Sequence, residues 1–177
     1  MSHATLALAC LGLLAVIAAQ DWLYPPLRNE SISAGLTGPY HALLDASYVP
    51  VSATLILACR GQGWMEAFAV IAGVALLLVA ASNTAWRFFD SVSGGRHAKL
   101  HSTFTLVVFA SVLALQLVGD RGGMWTITAL NVLMPAVAYA YFHYRPTTIY
   151  GTTIAASPAA EKLYVAGLCA WLIAWSI

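Results

Sequence analysis

The sequence is poor in charge. Only 8% of its 177 residues are Asp, Glu, Lys or Arg, against roughly 25% in a soluble domain. So few charges cannot cover the outside of a water-soluble globule, but they can serve the loops of a chain whose outside faces lipid. Neither sign dominates, since the formal net charge is +1. Without a basic field, nucleic acid is not an expected partner. Cysteine is scarce: Cys10, Cys59 and Cys169 lie far apart in apolar runs with no metal-ligand spacing. They read as small buried hydrophobes. There is no phosphate loop, dinucleotide fingerprint, nucleophile elbow or HExxH pattern, so nothing calls for a cofactor or a metal. No internal repeat or coiled-coil heptad is present.

What fills the chain is apolar. Hydrophobic residues make up 60% and the mean hydropathy is +0.78. A bilayer core of about 30 Å needs about 20 apolar residues in helix. Six such runs occur, at about 4–20, 39–59, 65–86, 99–118, 124–143 and 159–177. Lipid cannot satisfy a free backbone amide, so these runs must be helical. The expected fold is an all-α integral membrane protein, a single bundle of about six transmembrane helices in one domain over residues 1–177. Breakers separate the runs: Pro25-Pro26, Gly38-Pro39, Gly61-Gln62-Gly63, Ser93-Gly94-Gly95, Gly119 to Gly123 and Pro146. Ser157-Pro158 reads as an N-cap followed by proline at the first helical position. Residues 143–157, rich in Thr, Ser and Ala, read as a loop able to order against the bundle. The first run lacks a basic leader and reads as a retained span, not a signal peptide.

Lys and Arg set the expected orientation. Arg28, Arg87, Arg96, Lys99, Arg145 and Lys162 fall on the side of the loops after helices one, three and five, against Arg60 and Arg121 opposite. The first set is expected in the cytoplasm of a multi-pass cell-membrane protein. Trp22 and Trp86, and Trp64 and Trp125, fall at the two interfaces.

The ionisable residues gather at the basic side. His41 and Asp45 are four apart, as are His97 and His101, and Asn83 and Arg87. That spacing puts each pair on one helix face. Glu161 opens the last helix. A carboxylate inside a membrane helix is costly and is a functional candidate by default. Asp45, Glu161, His101 and His41 are therefore the candidate acid–base groups. Tyr48, Asn83, Trp86, Arg87, Tyr139 and Trp22 are the candidate substrate-binding residues. A polar floor with aromatic walls suits a lipophilic, isoprenoid- or lipid-like small molecule. Each residue also has a structural reading. Asp45 can pair with Arg87 or His41, Glu161 can serve the helix dipole, and Asn83 and Asn131 can be interhelical glue. His97 and His101 have the i, i+4 spacing of a metal pair but lack a defined third ligand, so no metal is expected.

Several short elements, in order, resemble a bacterial membrane family known as domain of unknown function 998. They are Tyr24-Pro25-Pro26-Leu27-Arg28-Asn29-Glu30-Ser31-Ile32-Ser33, then Gly38-Pro39-Tyr40 through Ala53, then His101, and finally Glu161 with Leu163 and Trp171. Asp45 stands where the family often has Asn, and Lys162 where it has Arg. The resemblance implies a six-helix membrane fold and supplies no activity.

Three functions fit these observations. One is acid–base chemistry, an isomerisation or cyclisation, on a lipophilic substrate. Another is a non-catalytic structural or accessory subunit, helped by small residues such as Gly73 and Ala75 that permit close packing. The third is a small transporter, although few polar residues approach the midplane. The bilayer is the certain partner in all three, and oligomerisation is left open.

Overall fold

The computed structural model describes the backbone of residues 3–23, 32, 41–93, 96–119, 124–141, 145–149, 152–156 and 158–176, and the side chains of 3–23, 32, 41–82, 99–119, 124–137 and 160–176. Six helices run in chain order: α1 (His3–Leu23), α2 (His41–Ala58), α3 (Trp64–Ser93), α4 (Arg96–Val118), α5 (Trp125–Tyr141) and α6 (Pro158–Ser176). Four stretches are long and apolar enough to cross a membrane: His3–Leu23, His41–Ala58, Trp64–Ser82 and Lys99–Val118. The architecture is an all-α membrane bundle. α3 runs past its expected end at 86, and α4 starts ahead of its expected beginning at 99.

One local element departs from expectation. Between α5 and α6 the chain forms β1 (Arg145–Ile149) and β2 (Thr152–Ala156), not a plain loop. The two pair antiparallel, Arg145 with Ala156 through Ile149 with Thr152. The physical reason lies in Thr147, Thr148, Ile149, Thr152, Thr153 and Ile154, whose β-branched side chains favour extended backbone. The register runs to the Ile149–Thr152 pair, so the two strands are close in sequence as well as in space.

The α2–α3 turn shows how composition sets local structure. Gly61 and Gly63 have φ of 77° and 60°, a region that only glycine enters at little cost. The Gly61 N–H donates to Glu66 Oε2 at 2.9 Å, and Gln62 Nε2 donates to the Ala58 carbonyl at 2.8 Å. Polar groups left open at two helix ends are thus satisfied. Close packing follows between the same helices. Ser52 Oγ donates to the Gly73 carbonyl at 2.8 Å, and a Cβ at Gly73 would lie 2.8 Å from Ile56 Cδ1. Pro50 sits inside α2 and has no N–H for the Ala46 carbonyl, and the helix continues through it. α1, α2, α3 and α4 pack in sequence, α6 closes onto α1, and α5 packs on α6. The core lies among α1, α2, α3, α4 and α6, around Leu6, Leu44, Leu55, Ala72, Leu115 and Leu172.

Candidate functional site

The core borders a partly open cavity of about 70 Å³ lined from five helices. Its walls are aliphatic: Leu13 and Ile17 from α1, Val51 and Leu55 from α2, Leu76 and Val79 from α3, Val108 and Val112 from α4, and Val165 and Leu172 from α6. The polar side chains on it are Tyr48, His101, Thr105 and Glu161. Tyr48, His101 and Glu161 are each the first cavity-lining residue of α2, α4 and α6, the helices that start on one side of an up-and-down bundle. The cavity is therefore polar at one end and apolar along the rest. From Glu161 to Leu172 the α6 wall extends roughly 16 Å, at about 1.5 Å per residue.

At the polar end several parts of the chain converge. The Ile32 N–H donates to Glu161 Oε2 at 3.1 Å, and Ile32 itself is buried and lines the cavity. Tyr48 is buried and lies within electrostatic reach of Glu161 and of Asp45. His101 is 4% exposed, so its ring faces the interior and not the headgroups. Beside Glu161, Lys162 Nζ meets Asp21 Oδ2 at 2.7 Å, which ties the end of α1 to the start of α6. Between α4 and α6, Tyr164 Oη donates to the Phe109 carbonyl at 2.8 Å, and the two rings stand 4.4 Å apart. Phe109 also lines the cavity.

The expected residues are distributed unevenly. Tyr48, His101 and Glu161 come together on the cavity. Asp45 and His41 are half-buried one and two turns before Tyr48 on α2 and are not among the lining residues. Trp22 is 78% exposed and points away from the interior. Trp64 and Trp125 are exposed as well, as interfacial tryptophans are. The side chains of Asn83, Trp86, Arg87 and Tyr139, and that of His97, lie outside the described residues. Among the described residues, no three His, Cys, Asp or Glu side chains are grouped to hold a metal. Among the described residues, the rings on the cavity are Tyr48, Phe109 and His101, and the other lining side chains are largely aliphatic.

Sequence reasoning missed Ile32, Thr105, Phe109, Asp21 and Tyr164. Asp21 and Lys162 carried a readable signal, because opposite charges at the ends of helices one and six fall on one side of an up-and-down bundle. Phe109 and Thr105 carried none that separates a cavity wall from a packed core. The geometry provides an elongated apolar slot whose hydrogen-bonding and ionisable groups are confined to one end. No family model, curated protein or solved structure matches the chain.

Proposed function

We propose that the cavity receives the tail of a lipophilic, isoprenoid- or lipid-like molecule and holds its polar head at Glu161, Tyr48 and His101. The observation that carries this reading is the one-ended polarity of an otherwise aliphatic cavity. A chain that served only to hold partners together gains nothing from an interior space with a carboxylate, a phenol and an imidazole at its mouth. Packed hydrophobes would be more stable there.

In this reading Glu161 is the acid–base group. It gives a proton to the ligand's head or takes one from it, and Tyr48 and His101 relay protons within hydrogen-bonding range of the same space. Asp45, behind Tyr48, sets the field at the phenol. Isomerisation or cyclisation of an unsaturated chain is acid–base chemistry of this kind, a proton given at one carbon and taken from another. The polar end is placed at the cytoplasmic leaflet, on the strength of the Lys and Arg distribution. Membership of domain of unknown function 998 belongs to the same proposal. Ile32, His101 and Glu161, three of the residues that carry the resemblance, all line the cavity.

The test is mass spectrometry of small molecules that co-purify in mild detergent with the wild-type protein, with Glu161→Gln and with Asp45→Asn. A defined lipophilic molecule is expected with wild type, lost or chemically changed with Glu161→Gln. Identical bulk lipid in all three samples would remove the ligand site and favour an accessory subunit.

A further inference from the structure

A second polar locus lies away from the cavity, near the other end of the bundle. It is assembled from Gln116 at the end of α4, Thr128 and Asn131 in the first turns of α5, and the later half of α6. Asn131 Nδ2 donates to Gln116 Oε1 at 3.3 Å. A Cβ at Gly167 would collide with Asn131 Oδ1, and one at Gly119 would lie 3.2 Å from Trp171 Cη2. The two glycines thus make room for these two side chains. Asn131 is level with Gly167. One turn back along α5 and one turn on along α6, Thr128 comes level with Trp171.

These side chains are deeply buried: Gln116 and Trp171 are 0% exposed, and Thr128 and Asn131 are 3%. Four of their polar atoms, Gln116 Nε2, Thr128 Oγ1, Asn131 Oδ1 and Trp171 Nε1, have no hydrogen-bond partner among the described residues. Unpaired polar groups inside a membrane domain are costly, and buried ones are almost always satisfied by protein or by ordered water. Four such atoms from three helices at adjoining levels, with glycines letting the Asn131 and Trp171 side chains in, make a built site. None of the four residues lines the cavity.

The donor set indicates what the site takes. Trp171 Nε1 and Gln116 Nε2 only donate, Asn131 Oδ1 only accepts, and the Thr128 hydroxyl does both. Turning both amides over leaves the same balance, one open N–H group and one open oxygen. All four groups are neutral. A bare cation needs more oxygens than this, and an anion would meet the Asn131 oxygen with no positive charge to offset it. Water, which donates two hydrogen bonds and accepts two, matches. We propose that the α4–α5–α6 junction is an internal water-binding site, in which bound water bridges Gln116, Thr128, Asn131 and Trp171. The bridge would fix the rotation of α5, which approaches α4 closely at few points and turns Leu130, Leu133, Met134 and Val137 outward.

The experiment uses the full-length protein in lipid nanodiscs, labelled with [15N]tryptophan. A water cross-peak is expected at the Trp171 indole N–H, assigned by its loss in Trp171→Phe. Thr128→Val, which keeps the shape, is expected to lower Tm by about 2–4 °C, because the water loses a partner. A dry orphan hydroxyl would behave oppositely, since replacing an unsatisfied buried group by a methyl stabilises. Absence of the cross-peak, or a Tm that rises in Thr128→Val, overturns the proposal.

Discussion

Glu161 combines a structural and a functional role in one side chain. Its Oε2 receives the Ile32 amide while the carboxylate faces the cavity. Two substitutions separate the roles. Glu161→Gln preserves shape and an acceptor for Ile32, so it is expected to fold normally and to lose the ligand. Glu161→Leu also orphans a backbone N–H and is expected to lower Tm by several degrees in a detergent melt, consistent with the loss of a hydrogen bond to a charged acceptor at about 1.5–3 kcal/mol. Cys59 offers a different test. It is fully buried just beyond the end of α2, and burial, with the Glu66 carboxylate adding to it, pushes its thiol up to about 11. Only the thiolate reacts, so at pH 8 alkylation of Cys59 should run at least roughly a hundredfold slower than that of an ordinary thiol with a pKa near 8.5. The rate should recover on unfolding, as followed by mass spectrometry. The ionisable members of the site were legible in the sequence because a Glu or His stands out in an apolar run. Its aliphatic members were not, because Val108 or Leu172 looks the same in a sequence whether it fills a core or borders a cavity.

The helices themselves were readable from hydropathy, and their seams were not. Ser52 and Gly73 are unremarkable residues 21 positions apart, and only the fold shows that one donates to the other's carbonyl. Ser52→Ala is expected to cost about 0.6 kcal/mol, the usual size of such a bond in a membrane bundle. Gly73→Leu should be far more damaging, since even a Cβ there meets Ile56. Unfolding in a detergent titration would rank the two. The α4–α6 seam is of another kind. These helices meet largely through side chains, with the Phe109–Tyr164 ring contact and the Tyr164 hydroxyl closing the gap. Tyr164→Phe removes the hydroxyl latch and leaves the ring. Under the proposed function it should speed ligand exchange from the bilayer several-fold with little change in Tm, as read by displacement kinetics with the co-purifying molecule. The hairpin between α5 and α6 escaped the sequence reading because two five-residue strands give too short a period-two pattern to stand apart from a Thr-rich loop.

For the molecule as a whole, up-and-down threading places both chain ends on the side of the Gly61–Gly63 turn and the hairpin on the other. A single cysteine at Gln62, in a background where the native cysteines are replaced, is expected to react with a membrane-impermeant maleimide from outside intact cells. One at Thr148 should react only in inverted vesicles. The reverse pattern would turn the protein over and place the polar end of the cavity at the outer leaflet. The Asp21–Lys162 ion pair joins residues 141 positions apart and closes the bundle at that polar end, so first and last helices are held where the site lies. The long-range pairings, like the cavity they border, depend on how six similar apolar cylinders are arranged, which their composition leaves open.

The outward face of α5 sets how the protein meets its solvent. Its exposed stripe of Leu130, Leu133, Met134 and Val137 presents only apolar side chains to its surroundings. Acyl chains wet such a face at no cost, whereas water or a headgroup there would leave apolar surface unsatisfied. The annulus beside α5 is therefore hydrocarbon, and a detergent that strips it must replace those chains with its own tails.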